Sequence, residues 1–189
     1  MCAIIGFTSK TPTADEVRPY FDRTVSRGPD ATRLEAVGSA SCLGFHRLAI
    51  MGLHEEGMQP FYLGGDAAVC NGELYGFRPV KKALEAKGYT FRSDSDCEII
   101  LPLWKEYGVE MFAKLDAEFA MVIYDAASDS LVAARDPIGI RPLFYGYLAD
   151  GGIVFASEAK NLIGLCKEVC PFPPGHYYKD GKFVRYADL

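Results

Sequence analysis

No apolar run in this 189-residue chain approaches the ~20 residues that a membrane-spanning helix requires; stretches such as Phe119-Ala-Met-Val-Ile-Tyr124 end after a few positions. No basic leader precedes Cys2-Ala3-Ile4-Ile5-Gly6-Phe7, which argues against a signal or transit peptide and leads us to expect a cytoplasmic protein. Basic charge is not in excess either. With 20 Lys and Arg against 25 Asp and Glu, a net charge of −5 and no basic cluster denser than Lys81-Lys82, a nucleic-acid partner is excluded. Cys2, Cys42, Cys70, Cys97, Cys166 and Cys170 are too dispersed for a secreted disulfide scaffold. His46, His54 and His176 stand at no ligand spacing from Cys166-x-x-x-Cys170, so no bound metal is expected, and strand and loop structure is the role given to His46 and His54. Repeats, low-complexity tracts and linkers are also lacking, so residues 1–189 are expected to form one domain. A chain of this length buries roughly 70% of its unfolded surface and needs no staple.

What is present alternates between two periods. The apolar run from Cys2 to Thr8 predicts a buried strand, and Thr13 before Asp15-Glu16 predicts a helix start, with Val17, Tyr20, Phe21 and Thr24 on one face. Two strands are expected between Leu34 and Ile50, and another from Phe61 to Cys70, with Gly57 and Gly64-Gly65 at turns. Helical spacing follows at Phe77, Val80 and Leu84, then at Ile99, Ile100, Leu103, Trp104 and Tyr107, with Ser95-Asp96-Cys97-Glu98 matching a capping box. Strands resume at Phe119 to Tyr124, Leu131 to Ala134, Leu143 to Tyr147 and Ile153 to Ala156. A short helix over Glu158 to Leu165 and a last hairpin around Asp180-Gly181 complete an α+β layout of antiparallel sheets covered by helices.

Cys2 follows the initiator methionine directly. Removal of Met1 would leave a thiol and a free α-amine on one residue, a nucleophile with its own base, since an amine with pKa around 8 accepts a proton near neutrality. A small apolar cysteine opening a buried strand is the plainer alternative. The other five cysteines are read as thiols without chemistry. Polar segments interrupt the strands at Arg27-Gly28-Pro29-Asp30, His46-Arg47-Leu48-Ala49-Ile50, Asn71-Gly72-Glu73-Leu74-Tyr75, Ser95-Asp96-Cys97-Glu98 and Arg135-Asp136-Pro137. Singly, each has a structural explanation: a turn at Asn71-Gly72, a surface ion pair at Arg47, a helix-dipole contact at Asp96, a salt bridge at Arg135-Asp136.

In this order the motifs resemble one family. Met-Cys-x-Ile-x-Gly-Phe, Arg-Gly-Pro-Asp, His-Arg-Leu-x-Ile, Gln-Pro, Asn-Gly-Glu-Leu-Tyr, Ser-Asp-Cys-Glu, Arg-Asp-x-x-Gly-x-x-Pro-Leu, Ala-Ser-Glu-x-Lys and Phe-Pro-Pro-Gly are similar to the N-terminal glutaminase domain of asparagine synthetases. These are class II glutamine amidotransferases of the N-terminal nucleophile (Ntn) hydrolase type. The resemblance implies a four-layer αββα sandwich, with Cys2 attacking the carboxamide of L-glutamine to give a γ-glutamyl thioester and ammonia. It implies Asn71 and the Gly72 N–H as oxyanion donors, Arg47 as the clamp for the α-carboxylate, Glu73 and Asp96 as holders of the ammonium, and Ile50 and Met51 as added contacts. Asp30, Arg135 and Asp136 are left as structural residues.

Ala3 and Gly76 depart from the family pattern without removing a functional group. Nothing after Leu189 resembles an ATP-binding synthetase domain. The expectation is therefore an excised domain, or a free-standing glutaminase feeding a separate ammonia-accepting subunit, with ATP and Mg needed only in that other domain and no cofactor here. Two alternatives are carried: a non-catalytic glutamine-binding module that keeps Met1, and an amidotransferase serving a different acceptor. Assembly into a homo-oligomer is left open.

Overall fold

The computed structural model describes residues 1–50 and 53–188. Among these, β1 (Ala3–Thr8), β2 (Ala31–Val37), β3 (Ser41–Arg47), β4 (Phe61–Leu63), β5 (Asp66–Leu74), β6 (Ala117–Asp125), β7 (Ser130–Arg135), β8 (Phe144–Tyr147), β9 (Ile153–Ala156), β10 (Cys170–Pro171), β11 (His176–Lys179) and β12 (Lys182–Arg185) are strands. They form two six-stranded antiparallel sheets, ordered β10-β8-β9-β1-β3-β2 and β12-β11-β7-β6-β5-β4. The helices are α1 (Ala14–Phe21), α2 (Phe77–Glu85) and α3 (Ile100–Tyr107).

Strand periodicity builds the layers. Successive side chains point to opposite faces, so Ile4, Leu43 and Phe45 of the first sheet meet Val69, Val122 and Ala133 of the second. Their neighbours Ile5, Phe7 and Cys42 turn outward onto Val17 and Phe21 of α1. Ala68, Met121 and Ile123 turn outward onto Leu84, Ile100 and Trp104 of α2 and α3. The result is the expected helix-sheet-sheet-helix sandwich, with each fully buried large apolar side chain contributing roughly 1.5–3 kcal/mol. The sheets approach closely over β1: a Cβ on Gly6 would stand 2.7 Å from Val122 Cγ1.

Thr13 caps α1 as expected, in a reciprocal box with Glu16. At Ser95 the expected box does not form. Its side chain makes no cap bond, and Glu98 reaches back to the N–H groups of Arg92 and Ser93 at 2.7 and 2.9 Å, shaping the loop before the 3-10 turn Asp96–Ile99. The helix expected over Glu158 to Leu165 is only a 3-10 turn, Ala159–Asn161. Asn161 spends its amide on the carbonyls of Tyr20 and Phe21, and Gly164 at φ +94° ends any continuation. Phe61 to Cys70 is a hairpin of β4 and β5 about Gly64-Gly65, both at positive φ, rather than one strand.

Candidate functional site

The start of β1 is held from two sides. Ile4 N–H donates to Ser157 Oγ at 2.8 Å, and Arg27 Nε donates to the Cys2 carbonyl at 3.0 Å. Arg27 Nη1 in turn pairs with Glu158 Oε1 at 2.9 Å, and Lys160 Nζ takes the other oxygen at 2.9 Å. The Arg-Gly-Pro-Asp and Ala-Ser-Glu-x-Lys segments, far apart in sequence, thus meet at the Cys2 backbone. Gly28 is required there, because a Cβ would stand 2.2 Å from the His46 carbonyl oxygen.

Cys2 is half-buried, and its Sγ accepts the Leu48 N–H at 3.3 Å. Burial pushes its thiol up from the ordinary value, while the Leu48 N–H, the nearby N-terminal ammonium and Arg47 oppose that rise. The sulfur therefore stays a protonated thiol at neutrality until a base is supplied.

Arg47 ends β3 and is 7% exposed, which removes the surface ion-pair explanation. Its Nη1 donates to the His54 carbonyl at 3.0 Å. Asp30 shapes the next residues: its N–H donates to the Arg47 carbonyl and its Oδ2 accepts the Ala49 N–H at 2.8 Å, the structural role expected of it. Ile50 is 72% exposed at the pocket rim. Met51 lies outside the described residues. His46 turns away from the pocket, stacked on Phe21 at 3.7 Å with Nδ1 against Thr32 Oγ1 at 2.7 Å, a structural residue as expected.

Asn71 and Gly72 lie within β5, not in a turn. Asn71 shares the inward parity of Val69 and is 2% exposed, and its Nδ2 is buried without a hydrogen-bond partner among the described residues. Such an orphan amide is costly unless something else fills it. In antiparallel pairing, backbone groups alternate between facing the partner strand and facing away. Phe119, opposite Gly72, spends its N–H and carbonyl on Asp136, so Gly72 is a pair that does not bond across the ladder and directs its N–H off the free edge of β5. Side chains occupy that edge on either side. Gln59 brackets Cys70, accepting its N–H at 2.6 Å and donating to its carbonyl at 3.2 Å, and Asp96 Oδ2 accepts the Leu74 N–H at 2.7 Å. The small size of Gly72 is demanded by β6 rather than by anything in the pocket, since a Cβ would stand 2.5 Å from the Glu118 carbonyl oxygen.

Cys2, Arg47, Ile50, Asn71, Gly72, Glu73 and Asp96 all line one cavity of about 170 Å³. Asp96 is 6% exposed and its Oδ2 holds the Leu74 N–H; Glu73 is exposed and opposite Glu118 on β6. Gln59 and Arg141 also line it and were missed as site residues. The Gln-Pro pair was visible as a motif, but its bracing of β5 was not. Arg141 pairs with Glu118, and its loop is built by Asp136, whose carboxylate accepts the N–H groups of Phe119, Ile138, Gly139, Ile140 and Arg141. Arg135 binds three carbonyls, those of Gly139, Arg141 and Phe172, so the pair staples a loop by backbone contacts instead of forming one salt bridge. Among the described residues there is no group of three or more His, Cys, Asp or Glu that could hold a metal.

Residues 1–176 match the family model described as the glutamine amidotransferase domain. The chain belongs to that family. It is 40% identical over 196 residues to a probable asparagine synthetase [glutamine-hydrolyzing] of Dictyostelium discoideum, covering 98% of this chain and 35% of the relative. It is 42% identical over 166 residues to the corresponding probable enzyme of Schizosaccharomyces pombe, covering 85% and 29%. The chain thus spans about a third of the length of the relatives it matches. The glutamine amidotransferase fold is matched in solved structures: glutamine phosphoribosylpyrophosphate amidotransferase from Bacillus subtilis superposes with a TM-score of 0.78 at 20% identity, over 98% of this chain and 49% of that one. No described helix is long and apolar enough to cross a membrane.

Proposed function

We propose that this domain hydrolyses L-glutamine to L-glutamate and ammonia through Cys2, once Met1 is removed. The observation that carries it is the convergence on one pocket of a half-buried thiol, a buried guanidinium, an orphan buried amide and two carboxylates. The α-amine exposed by trimming takes the Cys2 proton, and the thiolate attacks the side-chain carboxamide carbon. Asn71 Nδ2 and the Gly72 N–H, both fixed before substrate arrives, donate to the oxyanion. Collapse expels ammonia, which carries the proton returned by the amine; water then opens the thioester through the same oxyanion site. Arg47 offers a planar fork to the α-carboxylate, and Asp96 Oδ1 and Glu73 accept the α-ammonium.

The ammonia is delivered to an asparagine-synthetase-type acceptor domain or subunit. The much longer relatives, named as glutamine-hydrolysing asparagine synthetases, support this. A cytoplasmic setting suits six free cysteines.

Intact mass spectrometry before and after exposure to 6-diazo-5-oxo-norleucine, with Cys2→Ala alongside, tests the reading. Loss of Met1 and a single adduct absent from Cys2→Ala are expected. A chain that lacks Met1 and takes no adduct would overturn it.

A further inference from the structure

The short strand β4 covers one edge of β5 only at its start. Their ladder ends at the pair Phe61 and Ala68, and the same register carried on by two residues would set Gln59 opposite Cys70. There a side chain takes over from the backbone. Gln59 Oε1 accepts the Cys70 N–H at 2.6 Å and Gln59 Nε2 donates to the Cys70 carbonyl at 3.2 Å, so one carboxamide supplies the acceptor and the donor that a paired strand residue would offer. Gln59 and Cys70 are 4% and 2% exposed, which leaves water little access to replace these bonds. Alternate residues present their backbone groups along this edge. Cys70 is held by Gln59, the Leu74 N–H is held by Asp96 Oδ2 at 2.7 Å, and Gly72 lies between them. The Cys70 carbonyl belongs to the planar peptide unit that leads into Asn71, so holding it orients the backbone from which the Asn71 side chain departs.

We propose, resting on the glutaminase reading, that Gln59 is a positioning residue for the oxyanion donors: it stands in for the strand that β5 lacks beside Cys70 and so aims Asn71 Nδ2 and the Gly72 N–H at one oxygen. Gln59 lines the cavity, but its Oε1 and Nε2 are both engaged by Cys70, so it acts through the strand rather than on glutamine. Oxyanion donors work only when they stand about 2.7–3.1 Å from the oxygen on which charge develops. A displacement of about 1 Å in such a site costs up to ~100-fold in rate. Arg47 is carried by β3 in the other sheet, so its hold on the α-carboxylate does not depend on this brace. Loss of the Gln59 carboxamide therefore falls on the chemical step and leaves glutamine binding largely intact.

Glutamate release by the Met1-free chain is compared with that of Gln59→Met, whose side chain is unbranched, of similar length and without an amide. A fall in kcat of about tenfold or more is expected, with KM little changed. In an Asn71→Ala background the same substitution should cost less than in the parent, because one of the two donors that Gln59 places is already gone. A kcat equal to the parent's in the folded variant, a loss carried by KM, or an equal cost in both backgrounds would overturn the proposal. Amide hydrogen exchange of the unsubstituted chain gives a readout that does not depend on the variant folding. The Cys70 N–H should exchange as slowly as the paired amides of β5 and β6, and a Cys70 amide that exchanges as fast as an unpaired one would overturn the brace itself. A parent chain that neither releases glutamate nor takes the 6-diazo-5-oxo-norleucine label overturns the glutaminase reading instead, which is distinguishable because the parent is read before Gln59 is changed.

Discussion

Arg27 Nε donates to the Cys2 carbonyl at 3.0 Å while Arg27 Nη1 is held by Glu158 Oε1 at 2.9 Å. The residue with the thiol is therefore fixed by its backbone, from an arginine that does not line the pocket. Arg27→Ala is expected to slow formation of the Cys2 adduct by about ten- to a hundredfold, as for a lost charge-assisted hydrogen bond of about 1.5–3 kcal/mol, read by mass against time. An unchanged rate would show that β1 positions Cys2 without Arg27.

Arg47 is the buried cation of the pocket. Arg47→Ala should raise the glutamine KM by about a hundredfold, the loss of a charge-assisted bidentate contact, with a smaller change in kcat. Steady-state kinetics decide it, and an unaltered KM removes Arg47 from the substrate.

Asn71 and Gly72 should separate into chemistry and packing. Asn71→Ala is expected to lower kcat about a hundredfold with little change in KM, as for one oxyanion donor. Gly72→Ala places a Cβ 2.5 Å from the Glu118 carbonyl oxygen, so thermal unfolding should show a loss of about 1–3 kcal/mol beyond any kinetic effect. A Gly72→Ala chain as stable as the parent would contradict the close approach of β5 and β6.

The pH dependence of Cys2 follows from burial. Its thiol is held above the ordinary value, so the reactive thiolate forms only on the alkaline side while Met1 remains. Alkylation of the Met1-bearing chain by iodoacetamide should climb steeply above neutral pH. The trimmed chain should react with 6-diazo-5-oxo-norleucine near neutrality, where its α-amine takes the thiol proton. Superimposable pH profiles from the two forms would argue against the amine as the base.

Helices and strands were legible where periodicity was strong. The capping box at Thr13, the 3.6-residue pattern of α3 and the unbroken apolar run of β6 are local properties, and the structure keeps them. Ser95 and Glu158 illustrate the limit: their local signals favoured a cap and a helix, but Glu98 took the N–H groups of Arg92 and Ser93 in the preceding loop, and Asn161 the distant carbonyls of Tyr20 and Phe21. Tertiary hydrogen bonds outweigh propensities of a few tenths of a kcal/mol.

The order of the motifs determined the family and the chemical types assembled: a thiol beside the initiator methionine, a guanidinium, an amide before a glycine, two carboxylates. The sequence could not show that Arg27 reaches the Cys2 carbonyl, that the Gly72 N–H faces off the edge of β5, or that Asp136 gathers the N–H groups of the loop bearing Arg141. The first two relationships join residues remote in the chain. They depend on strand register and on which face of each sheet a residue occupies, and these were decided only when the two sheets packed against each other.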